Sequence, residues 1–139
     1  PAGGVKPIVI ITSNREKQLP EPFLRRCLYT RLEFPADGGI LARIVRKNLD
    51  ARLDDIGDAL IAGAVERFCQ IRERGRDLSM QKLPATSELV DWVRVLHWQS
   101  RQAEDVSLDA LSVADQAVLF KLYQDIERYR ARTAEESAE

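Results

Sequence analysis

Residues 7–12, PIVIIT, form an unbroken and mostly β-branched apolar run. A run that is apolar on both faces predicts a central strand covered by helices on each side, and this one ends in the polar trio Thr12, Ser13 and Asn14. Pro20 and Pro22 then frame a short helix ending near Arg25, Arg26 and Cys27, with Pro22 suited to its first turn. Residues 28–34 alternate, with Leu28, Thr30, Leu32 and Phe34 on one side and Tyr29, Arg31 and Glu33 on the other. That period of two predicts a second, half-covered strand.

After Pro35 the period changes to that of a helix. Asp37 is a candidate N-cap, and Leu41, Ile44, Val45, Leu49 and Leu53 recur at helical spacing behind it. Asp58 opens a second helix, with Ile61, Val65, Phe68 and Cys69 turned inward and an end expected around Gly75. Pro84 and a Thr86 or Ser87 cap start a third, carrying Leu89, Trp92, Val93 and Leu96. Ser112 starts a fourth, carrying Val118, Leu119, Leu122, Ile126 and Tyr129. The acidic stretch 133–139 is expected to fray. The chain therefore reads as mainly α: two strands, then a four-helix unit, with no internal repeat. Two strands do not make an independent open sheet, so the sheet is expected to be completed by residues upstream.

Composition narrows the function classes. The 139 residues, 45% hydrophobic, suffice for one core and a small appendage. Twenty-one basic residues nearly cancel 22 acidic ones, for a net charge of -1, so no broad electrostatic grip on nucleic acid or on an anionic membrane is expected. Cys27 and Cys69 are far apart and outside any CxxC spacing, which implies neither a disulfide framework nor a zinc site and fits a cytoplasmic protein. No apolar run reaches the ~18 residues of a membrane span. The start at Pro1 suggests an excised piece of a longer chain.

Three motifs in order carry a resemblance. Thr12-Ser13-Asn14 closes the first strand, Leu24-Arg25-Arg26-Cys27 leads into Leu28-Tyr29, and residues 84–92 read PATSELVDW. Taken together with the switch to helices, they resemble the second half of the nucleotide-binding domain and the lid of AAA+ ATPases, nearest to the MoxR branch. The resemblance covers nearly all of the chain except the acidic tail. It implies that residues 1–35 are the C-terminal piece of an α/β nucleotide-binding core and that 36–132 are the helical lid. It further implies ATP hydrolysis with Mg2+ in the full-length parent, assembly into a homo-oligomeric ring, a hexamer, and remodelling of a protein client.

Beside the resemblance stands the chemistry of the residues. Ligands of open α/β sheets sit beyond the carboxyl ends of the strands, so Asn14 is aimed at the crevice, where a neutral amide can orient water and a phosphate oxygen. Its implied role is sensor 1; an Asn after a strand also caps turns. Arg25 and Arg26 can cap a helix dipole, while the resemblance implies that one of them is an arginine finger reaching the neighbouring subunit's nucleotide. A guanidinium suits that task because its planar fork stays charged and binds phosphate oxygens bidentately.

The lid departs from the AAA+ pattern, since Glu88 stands where many relatives place the sensor 2 arginine. Lys82 or Arg94 could substitute for it, and both residues also suit a plain surface. Trp92, His97 and Trp98 are expected in or near the core, one histidine makes no metal site, and a Cys/His nucleophile rests on residue type alone. The RERGRD run, 72–77, is expected as a solvated helix end.

No GxxxxGK[ST] loop is present, because Gly3-Gly4 lack the Lys-Ser/Thr that would follow. No apolar strand ends in an acidic pair for Mg2+, as Asp54-Asp55 lie between helices. The chain alone is expected to be inactive. Two other classes fit the same residues: a non-hydrolysing scaffold or adaptor derived from an AAA+ protein, and a free-standing helical interaction module.

Overall fold

The computed structural model describes residues 7–13, 19–49, 56–102 and 106–136. They form six helices: α1 (Glu21–Leu24), α2 (Gly38–Asn48), α3 (Asp58–Asp77), α4 (Thr86–Arg101), α5 (Val113–Leu119) and α6 (Tyr123–Glu136). The chain divides into two units, one up to Glu33 and one from Phe34 onward.

The first unit corrects the two expected strands: neither 7–12 nor 28–34 is paired, and no strand occurs among the described residues. Ile8, Val9, Ile10 and Ile11 are 93, 71, 85 and 62% exposed, and Leu28 and Leu32 are exposed as well. The reason is physical, because a strand exists through its ladder of hydrogen bonds to a neighbour, which an apolar run cannot supply for itself. Among the described residues of this unit only α1 is regular, with a proline in its first turn as expected.

The helical unit is built on local signals that the structure keeps. Asp37 caps α2, its Oδ1 accepting from the Ile40 amide at 2.8 Å, and Ser112 caps α5, its Oγ accepting from the Asp115 amide. α2, α3 and α4 pack against one another, and α5 packs on α4. Leu41 and Val45 of α2, Val65 and Phe68 of α3, and Leu89, Trp92 and Val93 of α4 meet in one core.

Four expectations about the helices are refined or corrected. First, α3 ends at Asp77, close to the end expected around Gly75. The Met80 amide donates to the Gly75 carbonyl and the Ser79 amide to that of Arg76, both at 2.9 Å, with Ser79 in the left-handed region at φ 51°. That is a Schellman closure made with serine. Gly75 serves packing instead: a Cβ there would lie 2.6 Å from Leu83 Cδ2 and 2.9 Å from Met80 Sδ.

Second, α4 begins one residue earlier than a Thr86 or Ser87 cap would allow, with Ala85 at the N-cap. Third, the single fourth helix is two. The chain turns extended at Phe120 (φ -108°, ψ 125°), which puts that ring in the core at 5.1 Å from the Tyr129 ring. The turn also buries Asp125 completely, so that its two carboxylate oxygens accept from the Gln81 and Lys82 amides at 3.0 Å each. Fourth, α6 continues through Glu136, past the Thr133 where fraying was expected. Arg132 pairs there with Glu135 and Glu136, and Arg74 of α3 reaches Glu136 at 2.7 Å.

Leu53, expected on the stripe of α2, lies outside the described residues. None of the described helices is long and apolar enough to cross a membrane.

Candidate functional site

The arginine pair sits at the end of α1. Arg25 occupies the C-cap and pairs with Glu21, one turn back, while Arg26 donates from Nη1 to the Pro22 carbonyl at 2.9 Å. Both side chains are exposed. An exposed i,i+4 ion pair is worth little and exchanges readily with solvent, so Glu21 leaves the Arg25 guanidinium able to take another anion. Asn14 lies outside the described residues.

A groove of about 310 Å3 opens in the helical unit between the C-terminal half of α2 and the first turns of α4, lined by Ile44, Asn48, Thr86, Ser87, Val90, Asp91 and Arg94. Arg94 is held in it on two sides. Its Nη1 donates to Asp91 Oδ1 at 2.8 Å and its Nη2 to the Asn48 carbonyl at 2.9 Å. The charge is thus compensated by Asp91 and tied to the end of α2. Lys82 is exposed, outside the lining of this groove, and its backbone amide is fixed by Asp125. The structure does not bring Lys82 and Arg94 into one groove.

Glu88 has a structural task. Its carboxylate accepts from the Ala85 amide at 2.9 Å and from Ser87 Oγ at 3.0 Å, the carboxylate half of a capping box. Burial by itself would push the Glu88 carboxyl up, but those two hydrogen bonds, one from its own amide and the nearby Lys121 charge outweigh it, and the pKa is lowered. A depressed carboxyl stabilises the fold above its unfolded pKa, and that contribution is lost as pH falls through the folded value. Glu88→Ala is therefore expected to cost about 1 kcal/mol at pH 7, with the difference from wild type shrinking as pH falls below the ordinary carboxylate range and through the lowered folded value. Urea unfolding at a series of pH values checks this, and a constant difference would mean that the charged carboxylate is not what caps α4.

The remaining candidates divide by burial. Trp92 is fully buried, its indole N–H donating to Asp115 Oδ1 at 2.8 Å, and His97 is buried. Trp98 is 58% exposed, which corrects its expected place in the core. Both cysteines are free thiols, and burial raises the Cys69 pKa, with Arg72 only partly opposing it. A thiol held protonated is a poor nucleophile. Among the described residues no cluster of three His, Cys, Asp or Glu could hold a metal ion.

The RERGRD run does end α3, with Glu73, Arg76 and Asp77 exposed as expected, but not all of it is solvated. Arg72 is buried, its guanidinium 3.4 Å from the centroid of the Phe34 ring and hydrogen-bonded to the Pro84 carbonyl. Arg74 lies over the Tyr129 ring at 5.2 Å. Burial lowers the Arg72 pKa, as does the neighbouring Arg76, with Cys69 acting the other way. Arginine nonetheless stays charged in proteins.

Sequence reasoning missed Arg72, Asp115 and Asp125 because each looks like a surface charge on its own helix, and their partners lie 12 to 44 residues away. Two signals were available: the absence of an opposite charge at i±4 near Arg72 and, for Asp115, the S-x-x-D spacing from Ser112. Comparison of the chain with family models, curated proteins and solved structures gave no match.

Proposed function

We propose that this chain is the C-terminal part of a MoxR-like AAA+ ATPase, in which Asn14 acts as sensor 1, Arg25 or Arg26 as a finger in trans, and the helical unit as the lid of a ring-shaped remodelling machine. The observation that carries the reading is the ordered set TSN, LRRC-LY and PATSELVDW along one chain. Two features of the structure support it. The arginines stand exposed at the end of α1, as a residue acting on a neighbour must. The exposed apolar run from Ile8 to Ile11 is accounted for when strands of a larger core cover it.

The residues present do not themselves fit Mg-ATP. A nucleotide needs a phosphate cradle and a metal carboxylate, whereas the groove beside α4 offers one arginine already bound to Asp91. Binding and metal ligation belong, in this reading, to the full-length parent. The chain's own residues contribute an amide that orients water and a guanidinium that meets phosphate charge.

Isothermal titration of the isolated chain with Mg-ATP is accordingly expected to give a Kd no tighter than ~1 mM, while the parent turns ATP over. A micromolar Kd for the chain alone would contradict the division of labour. One observation favours a second reading, a non-hydrolysing adaptor of AAA+ descent: Glu88, at the sensor 2 position, is engaged in capping α4. A parent without ATPase activity would select it.

A further inference from the structure

Arg72 joins three elements that the chain order separates. Its guanidinium lies 3.4 Å from the centroid of Phe34 and 6.0 Å from that of Phe68, and it donates to the carbonyl of Pro84. Phe34 is the first residue of the helical unit and precedes the Asp37 cap of α2 by three positions. Pro84 immediately precedes Ala85, the N-cap of α4. The side chain is 7% exposed, and Phe34 also packs on Phe68, with ring centroids 6.3 Å apart. A buried cation must be compensated, and here the compensation comes from a ring and a carbonyl, with no carboxylate among these contacts. Loss of either partner therefore weakens the hold on the other.

We propose that Arg72 is a coupling clamp that binds the segment leading into α2 to the segment leading into α4, so that the two segments open together. Because Phe34 is where the unit begins, anything that shifts the first turn of α4, where Thr86 and Ser87 line the groove, is passed through Pro84 and Arg72 to the point where the chain leaves the unit. The clamp lies wholly within the helical unit and does not depend on the proposed function.

Amide hydrogen exchange on the full chain tests it at two reporters, the Ile40 amide in the α2 cap and the Ala85 amide in the α4 cap. The Leu96 amide in the middle of α4 serves as reference. Arg72→Met, which keeps the stem and removes the charge, is expected to speed exchange at both caps roughly thirtyfold, the scale of a desolvated cation–π contact, with Leu96 little changed. Phe34→Leu acts at one end only, and it is expected to speed exchange at Ala85 as well as at Ile40. The double variant should add little to either single one. Three outcomes overturn the clamp: Phe34→Leu leaving Ala85 at its wild-type rate, additive effects in the double variant, or equal acceleration at Leu96. The last would mean global loosening, and Phe34→Leu, the milder change, distinguishes it should Arg72→Met fail to fold.

Discussion

In the ATPase proposed above, replacing by Ala whichever of Arg25 and Arg26 is the finger is expected to reduce ATP turnover by about 10³ to 10⁵, the range a finger arginine supplies in GTPases, while nucleotide affinity stays within a few fold. The asymmetry follows from where the charge acts. A guanidinium that meets phosphate charge developing in the transition state stabilises that state and leaves the ground state nearly as it was.

Both residues are exposed at the end of α1, and their contacts within the chain, Glu21 and the Pro22 carbonyl, lie one turn away on the same short helix. Removing either side chain therefore uncovers no core, and a fall in rate would report chemistry instead of unfolding. Action in trans has a further signature. A subunit with a defective phosphate loop still carries good arginines and can donate them to the intact site of a finger-less neighbour. Mixing the two inactive proteins is then expected to restore activity at junctions that combine one good site with one good finger. Parental rates in both single mutants would return the pair to helix capping, and co-assembled mixtures that stay inactive would place the arginines in cis.

The largest expected effect on stability is at Trp92. It is fully buried in the shared core of α2, α3 and α4, and its indole N–H is hydrogen-bonded to Asp115, itself 3% exposed. Trp92→Ala removes the largest side chain of the core and deprives a buried carboxylate of a donor. Truncations of this kind cost about 3–5 kcal/mol, a large fraction of a domain's total stability. For a domain of roughly 100 residues that lowers Tm by 15 °C or more.

Trp92→Phe retains an aromatic ring while giving up part of the indole volume along with the N–H. The lost N–H contributes about 1–2 kcal/mol, softened because Asp115 still accepts from the Ser112 amide and hydroxyl at 2.8 and 2.6 Å. Calorimetry of the three proteins decides the matter. Equal losses for Phe and Ala would assign the effect to the hydrogen bond and not to the volume.

What the sequence by itself determined are the features whose causes lie within a few residues. Asp37 and Ser112 cap helices because each side chain reaches an amide three positions on. The stripes through Leu41 and Val45, through Ile61, Val65 and Phe68, and through Leu89, Trp92, Val93 and Leu96 are buried, because a 3.6-residue period forces one face inward. Cysteine spacing and charge balance likewise needed no coordinates.

Only the tertiary structure decided the rest, and in each instance the cause sits far along the chain. Phe120 turns extended in the middle of what reads as one helix, and its ring packs on Tyr129 in the core, a contact between residues that the helical period alone does not place together. Asp125, an ordinary acid by its neighbours, is buried because two amides more than 40 residues upstream satisfy it. Arg72 leaves solvent for Phe34 and Pro84, and Glu88, which stands where many AAA+ relatives place an arginine, caps α4. The runs at 7–12 and 28–34 have strand composition but no strand partner among the described residues. A β-ladder is a contact between segments, and no pattern within one segment can supply the other.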